Sequence, residues 1–191
     1  MIDAVTDADR NATVTFTMDV RLDPFATLGL PRSVDLDRAA VDEAYYAASR
    51  AVHPDRFAGA DEATRRRAEV DAARLNEAYR MLKDRVGRLE ALCRLGGIDL
   101  DVTGGDRGAP MPDQAFLLDM IERREAIEAA SREGEDALED LRDGVEAEIA
   151  ETLGAAEDAL RQGDVRRAAE ALVRRRYLAR LLDEIDEALT A

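Results

Sequence analysis

Two apolar stripes separated by a Gly-Asp pair decide most of what this chain can fold into. Leu138, Leu141, Val145, Ile149, Leu153, Ala156 and Leu160 recur at steps of three and four. That spacing puts them on one side of a 3.6-residue helix. Val165, Ala168, Leu172, Leu178, Leu182, Ile185 and Leu189 form a second stripe of the same period. Between them Gly163 ends one helix and Asp164 caps the next. A link that short makes the two helices antiparallel neighbours. Two such faces need a third helix to close a core, and the segment from residue 113 supplies one. On it Phe116, Met120 and Ile127 fall within about 40° of one another. Residues 113–191 therefore read as a three-helix bundle.

The rest of the chain is also helical in pattern. Ala, Leu, Arg and Glu, all strong helix formers, dominate the sequence. Pro24 to Leu30 is a short helix stopped by Pro31. A second runs from Leu36 to Val52 with Asp35 as the expected cap, and buries Val41, Ala44, Tyr45, Ala48 and Val52. Pro54 ends it, because the residue before a proline is pushed out of the α region. Asp61 opens a third helix with Ala68, Ala72, Leu75, Tyr79 and Leu82 on its inner side. A fourth carries Leu89, Leu92, Cys93 and Leu95 and stops at Gly96-Gly97. Gly104-Gly105, Gly108, Pro110 and Pro112 mark residues 98–112 as a linker. Residues 1–20 read as a flexible tail, in which Val14 to Met18 alternates like a short strand. The expected fold class is all-α: a helical unit over 21–97 and the bundle.

Charge follows the same division. Residues 21–97 hold 14 basic and 13 acidic side chains, a net of +1; residues 98–191 hold 12 and 25, a net of −13. Different charge points to different partners, or to an acidic excess that keeps a bundle soluble. The whole chain, at −15, lacks the basic surface of a general nucleic-acid binder. One Cys and one His leave neither a disulfide framework nor a zinc site. With no run of about 18 apolar residues and no basic, apolar leader, the expectation is a cytoplasmic protein away from membranes.

Two groups of residues carry a functional signal. The first is His53-Pro54-Asp55, set in a loop between two antiparallel amphipathic helices and flanked by Arg50 and Arg56. An exposed carboxylate there suits a partner's arginine, and proline limits the loop's freedom. The second is the side of the first bundle helix that its core does not need. Leu117, Leu118 and Ile121 centre about 130° from the core stripe. Glu122, Arg124 and Glu125 rim them. An apolar centre with a charged rim fits an interface; the alternative is that the N-terminal half packs there.

The tripeptide, with Asn76 in Leu75-Asn76-Glu77-Ala78-Tyr79, resembles a J-domain, the module that stimulates the ATPase of DnaK-type chaperones. Phe25 to Pro31, Leu95-Gly96-Gly97-Ile98-Asp99-Leu100, Ala115 to Leu118 and Arg123-Arg124-Glu125 extend the likeness over roughly residues 22–190. Together they resemble the HscB family of iron–sulfur cluster assembly. The resemblance implies a J-domain over 21–97 that contacts an HscA/DnaK-type chaperone through Arg50, His53, Pro54, Asp55 and Arg56. It implies a bundle that holds an IscU-type scaffold through Leu117, Leu118, Ile121, Glu122, Arg124, Glu125 and Tyr177. It implies a monomeric adaptor with no cofactor and no catalytic or metal-binding residue of its own; a J-protein with a different client is the alternative. The second J helix departs from the family in its thin basic character, Arg38 and Arg50 standing among Asp37, Asp42 and Glu43. The metal-binding cysteines of eukaryotic relatives are also missing.

Other motifs read more plainly. Arg65-Arg66-Arg67 and Arg174-Arg175-Arg176 are expected as solvated faces pairing with carboxylates. Cys93 sits in an apolar stripe and is expected in the core. No phosphate-cradling glycine loop or nucleophile–base pair supports an enzyme.

Overall fold

A computed structural model describes residues 23–190; the alternating segment Val14 to Met18 lies outside them. In order come α1 (Pro24–Leu28), α2 (Arg38–Val52), a 3-10 turn (Pro54–Phe57), α3 (Glu62–Lys83), α4 (Arg85–Leu95), β1 (Asp99–Thr103), β2 (Gly108–Ala109), α5 (Gln114–Glu133), α6 (Glu135–Arg161) and α7 (Val165–Thr190). The fold is all-α, apart from the small pairing that sets Asp99 opposite Gly108 and Thr103 opposite Ala109.

Caps set the helix starts. Asp61 accepts from the Thr64 amide at 2.8 Å, Asp84 from Gly87 at 2.8 Å and Asp113 from Phe116 at 2.8 Å. Each satisfies an N–H that the first turn leaves without an intrahelical partner. The cap of α2 is Asp37, not Asp35: its carboxylate accepts from Ala39 N at 3.3 Å. Asp35 is drawn elsewhere. Its amide donates to Ser33 Oγ, and Arg161 takes its carboxylate.

Among the described residues, three apolar clusters hold the fold together. In the N-terminal half Phe25, Leu28, Val41, Leu75, Ala78, Leu82 and Ala91 pack between α1, α2, α3 and α4. In the bundle Phe116, Met120, Ile127, Leu138, Val145, Leu178, Leu181 and Ile185 close the core of α5, α6 and α7. Gly163, at φ +78°, makes the sharp turn from α6 into α7, and Asp164 Oδ1 accepts from Arg167 N at 3.0 Å.

The third cluster joins the halves. Leu89 and Cys93 of α4, with Ile98 and Leu100 after it, are buried against Ala156, Ala159, Ala168, Ala169, Leu172 and Val173 of α6 and α7. The segment read as a linker thus contributes buried side chains. The chain also comes close here: a Cβ on Gly96 would lie 2.6 Å from Val165 Cγ2. Burying each Leu or Ile contributes about 1.5–3 kcal/mol, against about 0–1 kcal/mol for an exposed ion pair. Apolar packing therefore dominates the contact, and ion pairs on its edge set its register: Arg85 with Glu157 at 2.5 Å, Arg161 with Asp35 at 2.7 Å and Arg176 with Glu90 at 2.9 Å.

Candidate functional site

The tripeptide stands at the tip of the α2–α3 hairpin. α2 stops at His53, whose backbone (φ −62°, ψ 131°) is extended, as proline at 54 requires. The chain then makes a single 3-10 turn, closed by Arg56 N donating to His53 O at 3.0 Å. His53 Nδ1 accepts from Asp55 N at 3.3 Å and lies 3.5 Å from Asp55 Oδ2. The turn itself thus orients the imidazole. The Asp55 side chain is 90% exposed and caps no helix, so its carboxylate is presented to solvent. Arg50 and Arg56 are exposed beside it, and Arg56 Nη1 donates to Arg50 O at 3.3 Å. The loop offers one carboxylate, one imidazole and two guanidinium groups to a partner.

The hairpin below is clipped by groups that the periodicity presents only as core. Tyr45 and Tyr79 stack at 4.2 Å between centroids. The Tyr45 hydroxyl donates to Asn76 Oδ1 at 2.8 Å, and the Tyr79 hydroxyl to Asp42 Oδ1 at 2.9 Å. The bond from Tyr79, and then Arg38, hold the Asp42 carboxyl below its ordinary value. Asn76, which stood out in the sequence beside the tripeptide, therefore ties α3 to α2. Only the hydroxyls distinguish these tyrosines from phenylalanine, and an apolar period cannot show what a hydroxyl reaches.

The second surface lies on α5. Leu118 and Ile121 are 52% and 53% exposed. Among the described residues, the N-terminal half packs against the α6–α7 turn instead and leaves them uncovered. Leu117 differs: it is half-buried and packs on the bundle core. Glu122 and Glu125 are exposed at the rim. Arg124 Nε reaches Glu184 on α7 at 3.0 Å. Tyr177 stands edge-on to Phe116 at 5.7 Å, with the Arg180 guanidinium 6.0 Å from its ring. Tyr177 and Leu117 pack on the same bundle core, so Tyr177 borders α5.

The arginine runs separate. Arg66 pairs with Glu62 on the exposed face of α3, as expected. Arg174 pairs with Asp113 at 2.9 Å. Arg176 departs from the solvated reading: it is half-buried, bonds Glu90 and Asp101, and donates to Leu100 O at 2.7 Å. Cys93 is fully buried, and burial pushes its thiol up to about 12. Among the described residues no group of His, Cys, Asp and Glu is placed to hold a metal ion, and no helix is long and apolar enough to cross a membrane.

Comparison with known proteins decides the family. A co-chaperone protein HscB homolog of Azoarcus sp. (strain BH72) is 35% identical over 176 residues, covering 91% of this chain and 97% of the relative. The chain belongs to the HscB co-chaperone family. A homolog from Burkholderia multivorans is 40% identical over 166 residues, 84% of this chain and 90% of that one. The family model described as the HSCB C-terminal oligomerisation domain matches residues 112–186. Among solved structures, chaperone HscB from Vibrio cholerae aligns with a TM-score of 0.70 at 31% identity, over 86% of this chain and 95% of that one. Human co-chaperone protein HscB aligns with a TM-score of 0.73 at 27% identity, over 88% and 83%. The HscB match spans both halves, so the hairpin loop and the α5 face belong to one family architecture.

Proposed function

We propose that this protein is a cytoplasmic adaptor of iron–sulfur cluster assembly. Its bundle binds an IscU-type scaffold protein, and its J-domain presents that scaffold to an HscA/DnaK-type chaperone and stimulates the chaperone's ATPase. The observation that carries the reading is a His53-Pro54-Asp55 turn, with His53 and Asp55 exposed, at the tip of a helical hairpin in a chain of the HscB family. Asp55 would take an arginine of the ATPase domain in a charge-assisted bond, while Arg50, His53 and Arg56 fix the approach. The bond-breaking chemistry belongs to the partner, so the protein acts without being an enzyme. Leu118 and Ile121 form the apolar centre of the scaffold surface, Leu117 and Tyr177 support it, and Glu122, Arg124 and Glu125 rim it.

The family model's description speaks of oligomerisation, whereas this reading has a single chain between two partners. Sedimentation separates a 21.0 kDa monomer from a dimer.

The scaffold surface is tested by Leu118→Ala and Ile121→Ala. Exposed positions change stability by no more than about 0.5 kcal/mol, whereas interface anchors cost more than about 1 kcal/mol of binding. Calorimetry with a purified IscU-type scaffold, beside a thermal melt of each variant, should show lost affinity at constant melting temperature. Unchanged affinity in both variants would assign the α5 face to another client.

A further inference from the structure

The apolar surface of the bundle does not end on α5. Met111, just ahead of that helix, is 74% exposed. It stands between Pro110, which is buried, and Pro112, which is half-buried. Pro112 pushes Met111 out of the α region, and the buried Pro110, with its own φ fixed, roots the segment in the fold. A large apolar side chain is therefore held out in water on a stiff strut. Beside it is a cleft of about 230 Å³ formed with Val173, Arg174 and Glu170 of α7.

This cleft adjoins the start of α5. Arg174 holds Asp113, the cap of α5, at 2.9 Å, and its guanidinium lies 5.0 Å from the Phe116 ring centroid. Phe116 in turn meets Tyr177 edge-on. Contacts thus lead from Met111 through Arg174 and Phe116 to Tyr177, one of the residues assigned to the scaffold surface. The charge of the cleft is also set. Asp113 already occupies Arg174, whereas Glu170 is only loosely paired, with Arg166 at 3.7 Å.

We propose that Met111 is a second apolar anchor for the bound scaffold protein, and that the cleft beside it, where the Glu170 carboxylate lies, takes a basic side chain. The inference rests on the assignment of the α5 face to a scaffold. A flexible thioether adapts to an irregular partner, and the two prolines lower the ordering cost of presenting it. The acidic half, at −13, and the loosely held Glu170 favour the basic side chain.

The test is calorimetry of a purified IscU-type scaffold against the full chain carrying Met111→Ser, Met111→Leu or Leu118→Ala. Met111→Ser should weaken binding about fivefold or more, the equivalent of roughly 1 kcal/mol. Met111→Leu should keep wild-type affinity. Both should melt with wild type, because the side chain is exposed. Unchanged affinity in Met111→Ser while Leu118→Ala binds weakly would overturn the strut's role and leave the α5 face standing. Unchanged affinity in both would overturn the scaffold surface itself, and the strut with it.

Discussion

Arg161 holds the Asp35 carboxylate at 2.7 Å, across 126 residues of sequence. Asp35 belongs to the loop before α2 and Arg161 to the end of α6, so the pair ties the N-terminal half to the bundle. Arg161 keeps the Asp35 carboxyl below its ordinary value. Arg85 does the same to Glu157 nearby, chiefly through its hydrogen bond. Under this arrangement the two surfaces are carried on one braced body.

The brace has a pH dependence of known sign. Glu157 has a lowered folded-state pKa against an ordinary value of 4.5. Its contribution is present above that value and is lost as the pH falls through the folded pKa. Glu157→Gln should therefore destabilise the protein near neutral pH, by no more than about 1 kcal/mol for an edge ion pair. The difference from wild type should shrink as the pH falls below 4.5. Melting curves from pH 7 downward check this, and a constant difference would mean that the charge on Glu157 does not matter.

Cys93 reports whether the halves stay together. Its thiol is buried in the shared cluster and pushed up to about 12, so it is protonated at neutral pH and closed to solvent. Alkylation at pH 8 should be far slower than in denaturant. Gly96→Ala sets a methyl against Val165 and should accelerate it. Equal labelling of native and denatured chains would show that the halves part readily.

How much of this is legible in the sequence depends on the range of the interaction. Stripes such as Leu138 to Leu160, and caps such as Asp61, are local and can be read directly. Asp35 and Asp37 both precede the helix and read alike as caps, and only the distant Arg161 shows where Asp35 is used. Ile98 and Leu100 sit among glycines and look like linker; their burial depends on α6 and α7, far along the chain. The tripeptide is visible because its three residues adjoin. Leu118 and Ile121 can be placed on a helix face, but which helix leaves that face open is a property of the assembled fold. Pro110 and Pro112 read as punctuation, which gives no sign that Met111 between them stands exposed.

The shared cluster also changes what a fragment can do. Residues 21–97 keep their own core around Phe25, Val41 and Leu82, so they should remain helical. Without the bundle, Leu89 and Cys93 lose their cover. The fragment should self-associate, as sedimentation would reveal, and Leu89→Ser should relieve it. A monodisperse wild-type fragment would mean that α4 finds cover within the N-terminal half.

The most direct measurement is the ATPase rate of an HscA/DnaK-type chaperone with wild type and with Asp55→Asn. Asp55 is an exposed anion that caps no helix, so the variant should match wild type in circular dichroism and melting temperature. The account predicts stimulation by wild type and none by Asp55→Asn, with scaffold affinity unchanged because the α5 face is untouched. Equal stimulation by the two proteins would contradict it.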